Sequence, residues 1–95
     1  MFVGVCRIVL DLHDNFSLKG KRSVVRRLVH RTRNKFNLSI AEVEDNDVLT
    51  RAVLGFSVVG NEKPFVNAVI DKVVDFVELE AEGSLADYQY SIEQY

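Results

Sequence analysis

The sequence predicts an α+β fold with a four-stranded antiparallel sheet. Two stretches with helical periodicity alternate with four stretches rich in β-branched and aromatic residues, in the order βαββαβ. The second and third strands are joined by a short link, which is typical of an antiparallel hairpin. This order is the signature of a ferredoxin-like sandwich with both helices on one face. Right-handed crossovers then place the first and third strands in the centre.

The chain of 95 residues, 47% of them hydrophobic, is long enough for one core, so we predict a single domain, 1–95. The first strand, Phe2–Leu12, has one apolar and one mixed face. Cys6 lies on the apolar face, and we interpret it as a core residue. An unpaired cysteine and no signal peptide favour the cytoplasm. Asp11, His13 and Asp14 are too weak a signal for a metal site, and we expect a solvated loop there.

The first helix follows, with Ser17 as N-cap and Phe36 at its end. Eight of the twelve basic residues of the chain lie in Ser17–Phe36, and no acidic residue does. Apolar residues cluster on one side of this helix and basic residues spread over the other, which predicts an amphipathic helix with a cationic face. The remaining predicted elements are two strands, a helix with Pro64 in first position, and a strand: Leu38–Asp45, Leu49–Val59, Phe65–Leu79 and Leu85–Tyr95.

Short motifs run through nearly the whole chain. The most specific is Ser17-Leu18-Lys19 followed by Lys21-Arg22-Ser23-Val24. The others are Gly4-Val5 with Arg7, Arg33 with Phe36-Asn37-Leu38-Ser39, Ala41-Glu42-Val43, Arg51-Ala52, Leu54-Gly55 and Val58-Val59 with Asn61. In these motifs the chain resembles the YlxP-like family, a small bacterial family of unknown function. Gly20 departs from that pattern, where glutamate is more frequent, and we expect it to weaken the first helical turn.

The resemblance implies a ferredoxin-like fold that is often dimeric, and a gene setting similar to that of translation and ribosome-maturation genes. It implies no catalytic residues. We therefore expect a non-enzymatic RNA-binding or ribosome-associated factor whose partner is ribosomal or structured RNA, with no cofactor or metal. The predicted RNA-binding residues are Lys19, Arg22, Arg26, Arg27, Arg31 and Arg33. Contacts to about six phosphates imply a loss of affinity of roughly 10³ between 50 and 200 mM salt.

Two alternatives remain open. Asp71, Asp75 and Glu78 of the second helix are expected beside the first helix, where they would neutralise part of the basic face. The chain is also consistent with a dimeric interaction or ligand-sensing module without a nucleic-acid role, because the sheet face away from the helices is too apolar for a monomer. The residues expected on that face are Val3, Val5, Arg7, Val9, Arg51 and Val53, together with Ile40, Glu42, Glu44 and Val59.

An enzyme is the least favoured class. Acylphosphatases share the βαββαβ order but need a glycine-rich phosphate loop with an arginine before the first helix. The corresponding loop here, His13-Asp14-Asn15-Phe16, has neither. Tyr88 and Tyr90 alternate on the last strand, where we expect core or interface packing rather than base stacking. No apolar run approaches the ~20 residues that span a bilayer, so we expect no membrane partner.

Overall fold

The computed structural model describes Met1–Tyr95 and contains the six elements in the predicted order. They are β1 (Phe2–Asp11), α1 (Leu18–Lys35), β2 (Ser39–Glu44), β3 (Arg51–Gly60), α2 (Lys63–Glu80) and β4 (Leu85–Gln94). The strands form one sheet in the order β2-β3-β1-β4, and each neighbouring pair is antiparallel. The ferredoxin-like prediction is confirmed. Neither helix is long and apolar enough to cross a membrane.

Element ends lie within two residues of the predicted ones. α2 begins at Lys63, so Pro64 is its second residue rather than its first. Both positions suit proline, because the first amides of a helix have no intrahelical partner. β3 begins at Arg51 rather than Leu49, since the preceding residues form a turn in which Asp45 has a φ of 56°.

The core lies between the sheet and the two helices. Even-numbered residues of β1 face the helices, and Ile8 and Leu10 are fully buried against residues such as Leu28 of α1 and Ile70 of α2. Cys6 lies in the same layer with 4% of its surface exposed. Burial raises the pKa of its thiol to about 11, so Cys6 is a protonated core residue at neutral pH.

Lys21 is the one charged side chain in the interior, with an exposed fraction of 1%. Its Nζ donates hydrogen bonds to the carbonyl oxygens of Asp45 and Val48, the latter at 2.7 Å. Nζ also lies 3.0 Å from Glu42 Oε2, which makes no hydrogen bond of its own, so this contact is an ion pair without hydrogen-bond geometry. The buried ammonium thereby fastens the first turn of α1 to the connection between β2 and β3.

The sheet face away from the helices is called the open sheet face below. The prediction that Ile40 and Glu42 lie on it is wrong. In the sheet register Ile40 is opposite Phe56 and Glu42 is opposite Leu54, and both partners point into the core. Ile40 is therefore 1% exposed. The register shifts between Glu42 and Glu44, so Glu44 lies opposite Val53 and keeps its predicted place on the open face.

Replacing Lys21 by methionine should destabilise the fold strongly. The substitution leaves two carbonyl groups and the Glu42 carboxylate without their partner, and breaking a buried pair costs about 3–5 kcal/mol. We expect a loss near the lower end, because 15% of the Glu42 side chain remains exposed to water. Chemical denaturation measures this loss as a fall in the free energy of unfolding.

The matched control is Lys35→Met in the last turn of α1, which is exposed and should change stability by about 0.5 kcal/mol or less. The double variant Lys21→Met, Glu42→Leu should recover part of the loss, since it removes both charges. Equal unfolding free energies for Lys21→Met and Lys35→Met would contradict the anchoring role of Lys21.

Candidate nucleic-acid interface

The start of α1 is fixed by a cap and a close contact. The Ser17 hydroxyl accepts a hydrogen bond from the Gly20 amide at 3.0 Å. Asn15 reaches the same turn and donates through Nδ2 to the carbonyl oxygens of Ser17 and Leu49, at 2.8 and 2.6 Å. A Cβ at Gly20 would collide with Asn15 Oδ1. Glycine at this position therefore makes room for a side chain that ties the helix start to the loop before β3.

Three basic residues form a row along the exposed side of α1, which we call the basic row: Lys19, Arg22 and Arg26. Their spacing of three and four residues places successive side chains about 5–6 Å apart at Cβ. Together with Ser23 they line a shallow groove of about 510 Å³, and no other residue lines it. None of the three makes an internal ion pair, so all three charges face solvent.

The other predicted RNA-binding residues are Arg27, Arg31 and Arg33, and they differ in the contacts that they make within the fold. Arg27 is exposed and unpaired. Arg31 pairs with Glu80 at the end of α2, with Nη1 and Oε2 2.5 Å apart. Arg33 donates through Nη2 to the Ile40 carbonyl of β2 at 2.8 Å. Arg31 and Arg33 are thus partly engaged within the fold, while Arg27 extends the unpaired cationic surface.

The acidic residues expected to neutralise the basic face do not contact it. Asp71, Asp75 and Glu78 make no ion pair with α1, and Glu80 alone joins the two helices electrostatically. Asp75 and Glu78 instead line a cleft beside Leu85, at the start of β4. The basic row and these three carboxylates are therefore not paired with one another.

Two further residue groups from the sequence lie elsewhere. Asp11, His13 and Asp14 are exposed, and the imidazole nitrogens lie 3.6 Å from each neighbouring carboxylate. Tyr88 and Tyr90 stack with ring centroids 6.5 Å apart and planes inclined by 12°, and they remain 41% and 45% exposed. The tyrosines are therefore not core residues.

The open sheet face carries both apolar and charged groups. Val5, Val43 and Val59 are about half exposed or more. Arg7 and Glu44 are joined by two hydrogen bonds of 2.7 Å each. This hydrogen bonding holds the pKa of the Glu44 carboxyl below its usual value of 4.5.

Arg51 and Val53 were also predicted on the open sheet face, where one makes an ion pair and the other is buried. A second ion pair joins Arg51 Nε to Asp45 Oδ2 at 3.1 Å. Val53, predicted as an interface residue, has no exposed surface, so that expectation is wrong for the free chain. It lies in the central part of the sheet between Val9 and Glu44, its partners in the register.

Comparison with known proteins identifies relatives of this chain. Residues 3–90 match the family model described as "Protein of unknown function (DUF503)". The uncharacterized protein YlxP of Bacillus subtilis (strain 168) is 30% identical over 76 residues, which cover 80% of this chain and 83% of that protein.

Solved structures resemble the chain in fold. A de novo designed protein with a ferredoxin fold superimposes with a TM-score of 0.61 at 10% identity, covering 100% of this chain and 87% of the design. A dimeric ferredoxin-like protein from an uncultured marine organism gives a TM-score of 0.46 at 10% identity, with 97% and 94% coverage. The similarity to the designed protein supports the fold alone.

The Arg7–Glu44 pair predicts a specific dependence of stability on pH. The pKa of Glu44 is lower in the folded than in the unfolded chain, so its contribution is complete well above 4.5 and is lost as the pH falls through the folded pKa. The Tm of Glu44→Gln should lie slightly below that of the native chain at neutral pH, and the gap should close in acid. Glu93→Gln, an exposed residue of β4 without an ion pair, is the control. A gap that is constant with pH would refute the assignment.

Proposed function

The chain belongs to the DUF503 family, as its motifs predicted, and we propose that it is a non-enzymatic RNA-binding or ribosome-associated protein that acts through the basic face of α1. The observation that carries this proposal is the groove lined only by Lys19, Ser23, Arg22 and Arg26. A protein of formal net charge −2 keeps these cations exposed without internal counter-charges. We assign it to the cytoplasm, where such RNA is found.

Arginine suits this role for a geometric reason. Its planar guanidinium donates two parallel hydrogen bonds to phosphate oxygens and stays charged at all physiological pH values. Arg22 and Arg26 lie one turn apart, with Lys19 before them and Arg27 beside them, so the surface follows a line of phosphates rather than enclosing a single one. Contacts of this kind position a nucleic acid without reading its bases. Shape of the RNA, rather than sequence, is therefore the property that we expect this surface to select.

The proposal is non-enzymatic because the reactive groups are dispersed. The thiol of Cys6 is buried and protonated, which makes it a poor nucleophile. His30 shares a contact of 3.2 Å with Asn34 on the surface of α1, and no hydroxyl nucleophile is bonded to it. A binding role uses the exposed charges as they stand and requires none of these groups to react.

RNA binding should be sensitive to salt and to charge reversal on the basic row. The fold leaves five exposed basic residues of α1 without internal partners: Lys19, Arg22, Arg26, Arg27 and Lys35. Contacts to about five phosphates imply a loss of about 500-fold in affinity between about 50 and 200 mM salt. Fluorescence anisotropy with structured ribosomal RNA fragments measures this slope. The double variant Arg22→Glu, Arg26→Glu should bind weakly and show a shallow slope.

The matched control is Lys63→Glu, Lys72→Glu, which changes the net charge by the same amount at two exposed residues of α2. It should retain most of the affinity if the site is on α1. Equal losses in both double variants would show that net charge alone governs binding, and binding that neither variant changes would refute the basic-row site. Circular dichroism establishes that each variant is folded.

We also propose that the chain forms a homodimer through the open sheet face. The supporting observation is the exposure of Val5, Val43 and Val59, at 49%, 51% and 61%. Three strands of ten residues and one of six, about 4.8 Å apart, present a face of about 600 Å². A stable interface buries about 800 Å² per partner, so this face approaches the size required. A second copy presents the same valines, and the basic row of each copy remains exposed.

Dimer formation should fail when lysine replaces two of the exposed valines on the open sheet face. In sedimentation velocity at micromolar concentration we expect the native chain to migrate as a dimer and the variant Val5→Lys, Val59→Lys as a monomer, because two buried lysines cost more than two valines contribute. Leu79→Lys is the control, since Leu79 lies on α2 with 77% of its surface exposed. A native chain that remains monomeric, or a lysine variant that remains dimeric, would contradict the proposal.

A further inference from the structure

The outer edge of β4 is a long unpaired strand edge. β4 is the last strand of the sheet and pairs only with β1. The register with β1 shifts once, between Val9 and Leu10, and then continues from Asp87 to Gln94 without interruption. No lysine, arginine or proline lies in Leu85–Gln94. Such an edge presents free backbone donors and acceptors to another strand.

The opposite edge of the sheet lacks these properties. β2 has only six residues, Ser39–Glu44, and a bulge interrupts its pairing with β3. Arg33 of α1 also covers the Ile40 carbonyl. Short length, a bulge and a covering basic side chain are the devices that protect natural edge strands. The fold thus protects one edge and leaves the other open.

The stacked tyrosines lie on the open edge. Tyr88 and Tyr90 are opposite Ile8 and Cys6 in the register, so they project to the helix side of the sheet, but the helices leave them about half exposed. Asp87, opposite Val9 in the register, belongs to the open face of the sheet, and its Oδ1 accepts a hydrogen bond from the Tyr88 amide at 2.9 Å. Two exposed aromatic rings are a favourable surface for a cationic side chain.

The charge around this edge selects the partner. Asp87 and Glu93 lie on β4, and Asp75, Glu78 and Glu82 line or border the cleft beside its first residue. None of the five makes an ion pair. A second copy would bring the same carboxylates against themselves, which disfavours edge-to-edge pairing of two β4 strands. A basic segment complements them.

We propose that the outer edge of β4 binds an extended peptide segment rich in arginine or lysine, which adds to the sheet as a fifth strand. The backbone of the segment pairs with β4. Its basic side chains on the helix side of the sheet contact the tyrosines, and those on the open face lie near Asp87 and Glu93. This surface shares no residue with the basic row, so the inference does not rest on RNA binding.

The probe is a fluorescein-labelled peptide of alternating arginine and threonine, measured by anisotropy against the full chain. Binding should be lost when the peptide backbone is N-methylated at alternate residues, which removes the amide donors of one edge but no charge. It should also be lost for alternating glutamate and threonine. The variant Tyr88→Ala, Tyr90→Ala should bind about tenfold more weakly, as expected for two exposed cation–π contacts.

Tyr95→Ala is the matched control, because Tyr95 lies beyond β4 with 73% of its surface exposed, and it should bind as the native chain does. Backbone amide shifts in ¹H–¹⁵N spectra should change along β4 and not along α1. The proposal is overturned if the native chain does not bind the peptide or if the methylated peptide binds equally well. It is also overturned if the tyrosine variant binds unchanged while folded, or if sedimentation shows that the peptide displaces a second copy from β4.

Discussion

The buried ammonium of Lys21 sets the orientation of α1. Its three contacts all lie in β2 or in the turn that follows, so the helix cannot rotate about its axis without breaking them. With Lys21 held inward, the side chains of the basic row necessarily point outward. An apolar residue at this position would pack against the same strand, but it could not bind two carbonyl oxygens and a carboxylate. Together with the buried residues Val25, Leu28 and Thr32, this one cation determines which side of α1 faces solvent.

Charge segregation follows from the way in which the helices are placed. Each helix buries one stripe against the sheet, and α1 contacts β2 while α2 contacts β1, β3 and β4. Arg31–Glu80 is the sole ion pair between the helices, so the basic row is not paired with the acidic residues of α2. At physiological salt, fields between exposed charges are screened beyond about 8 Å. The basic and acidic surfaces can therefore act on different partners even though the net charge is small.

Much of the fold was predictable because the spacing of apolar residues indicates which side of each helix or strand is buried. The six elements follow from alternating and helical patterns, which identify an element even when its ends are uncertain. The strand order follows from the right-handed crossovers. Lys21 was not recognised as buried, although it precedes Val25, Leu28 and Thr32 at spacings typical of a buried helix stripe. Its charge suggested the surface, and its partners are backbone carbonyls, which leave no signal in the sequence. The bulge at Val43 was missed for a similar reason, since nothing in its residue type marks a register shift.

Helix α1 also protects the edge of the sheet that is formed by β2, through one of its basic side chains. Arg33 belongs to the predicted RNA-binding set, yet its guanidinium covers a backbone acceptor of β2. A nucleic acid that drew Arg33 away would expose that edge, whereas one held by Arg22 and Arg26 leaves it covered. The unpaired basic residues of α1 are therefore the better phosphate ligands, because a phosphate can bind to them without breaking a hydrogen bond or ion pair within the fold. By the same reasoning β4, which has no basic side chain to cover it, is the edge at which a further strand can be added.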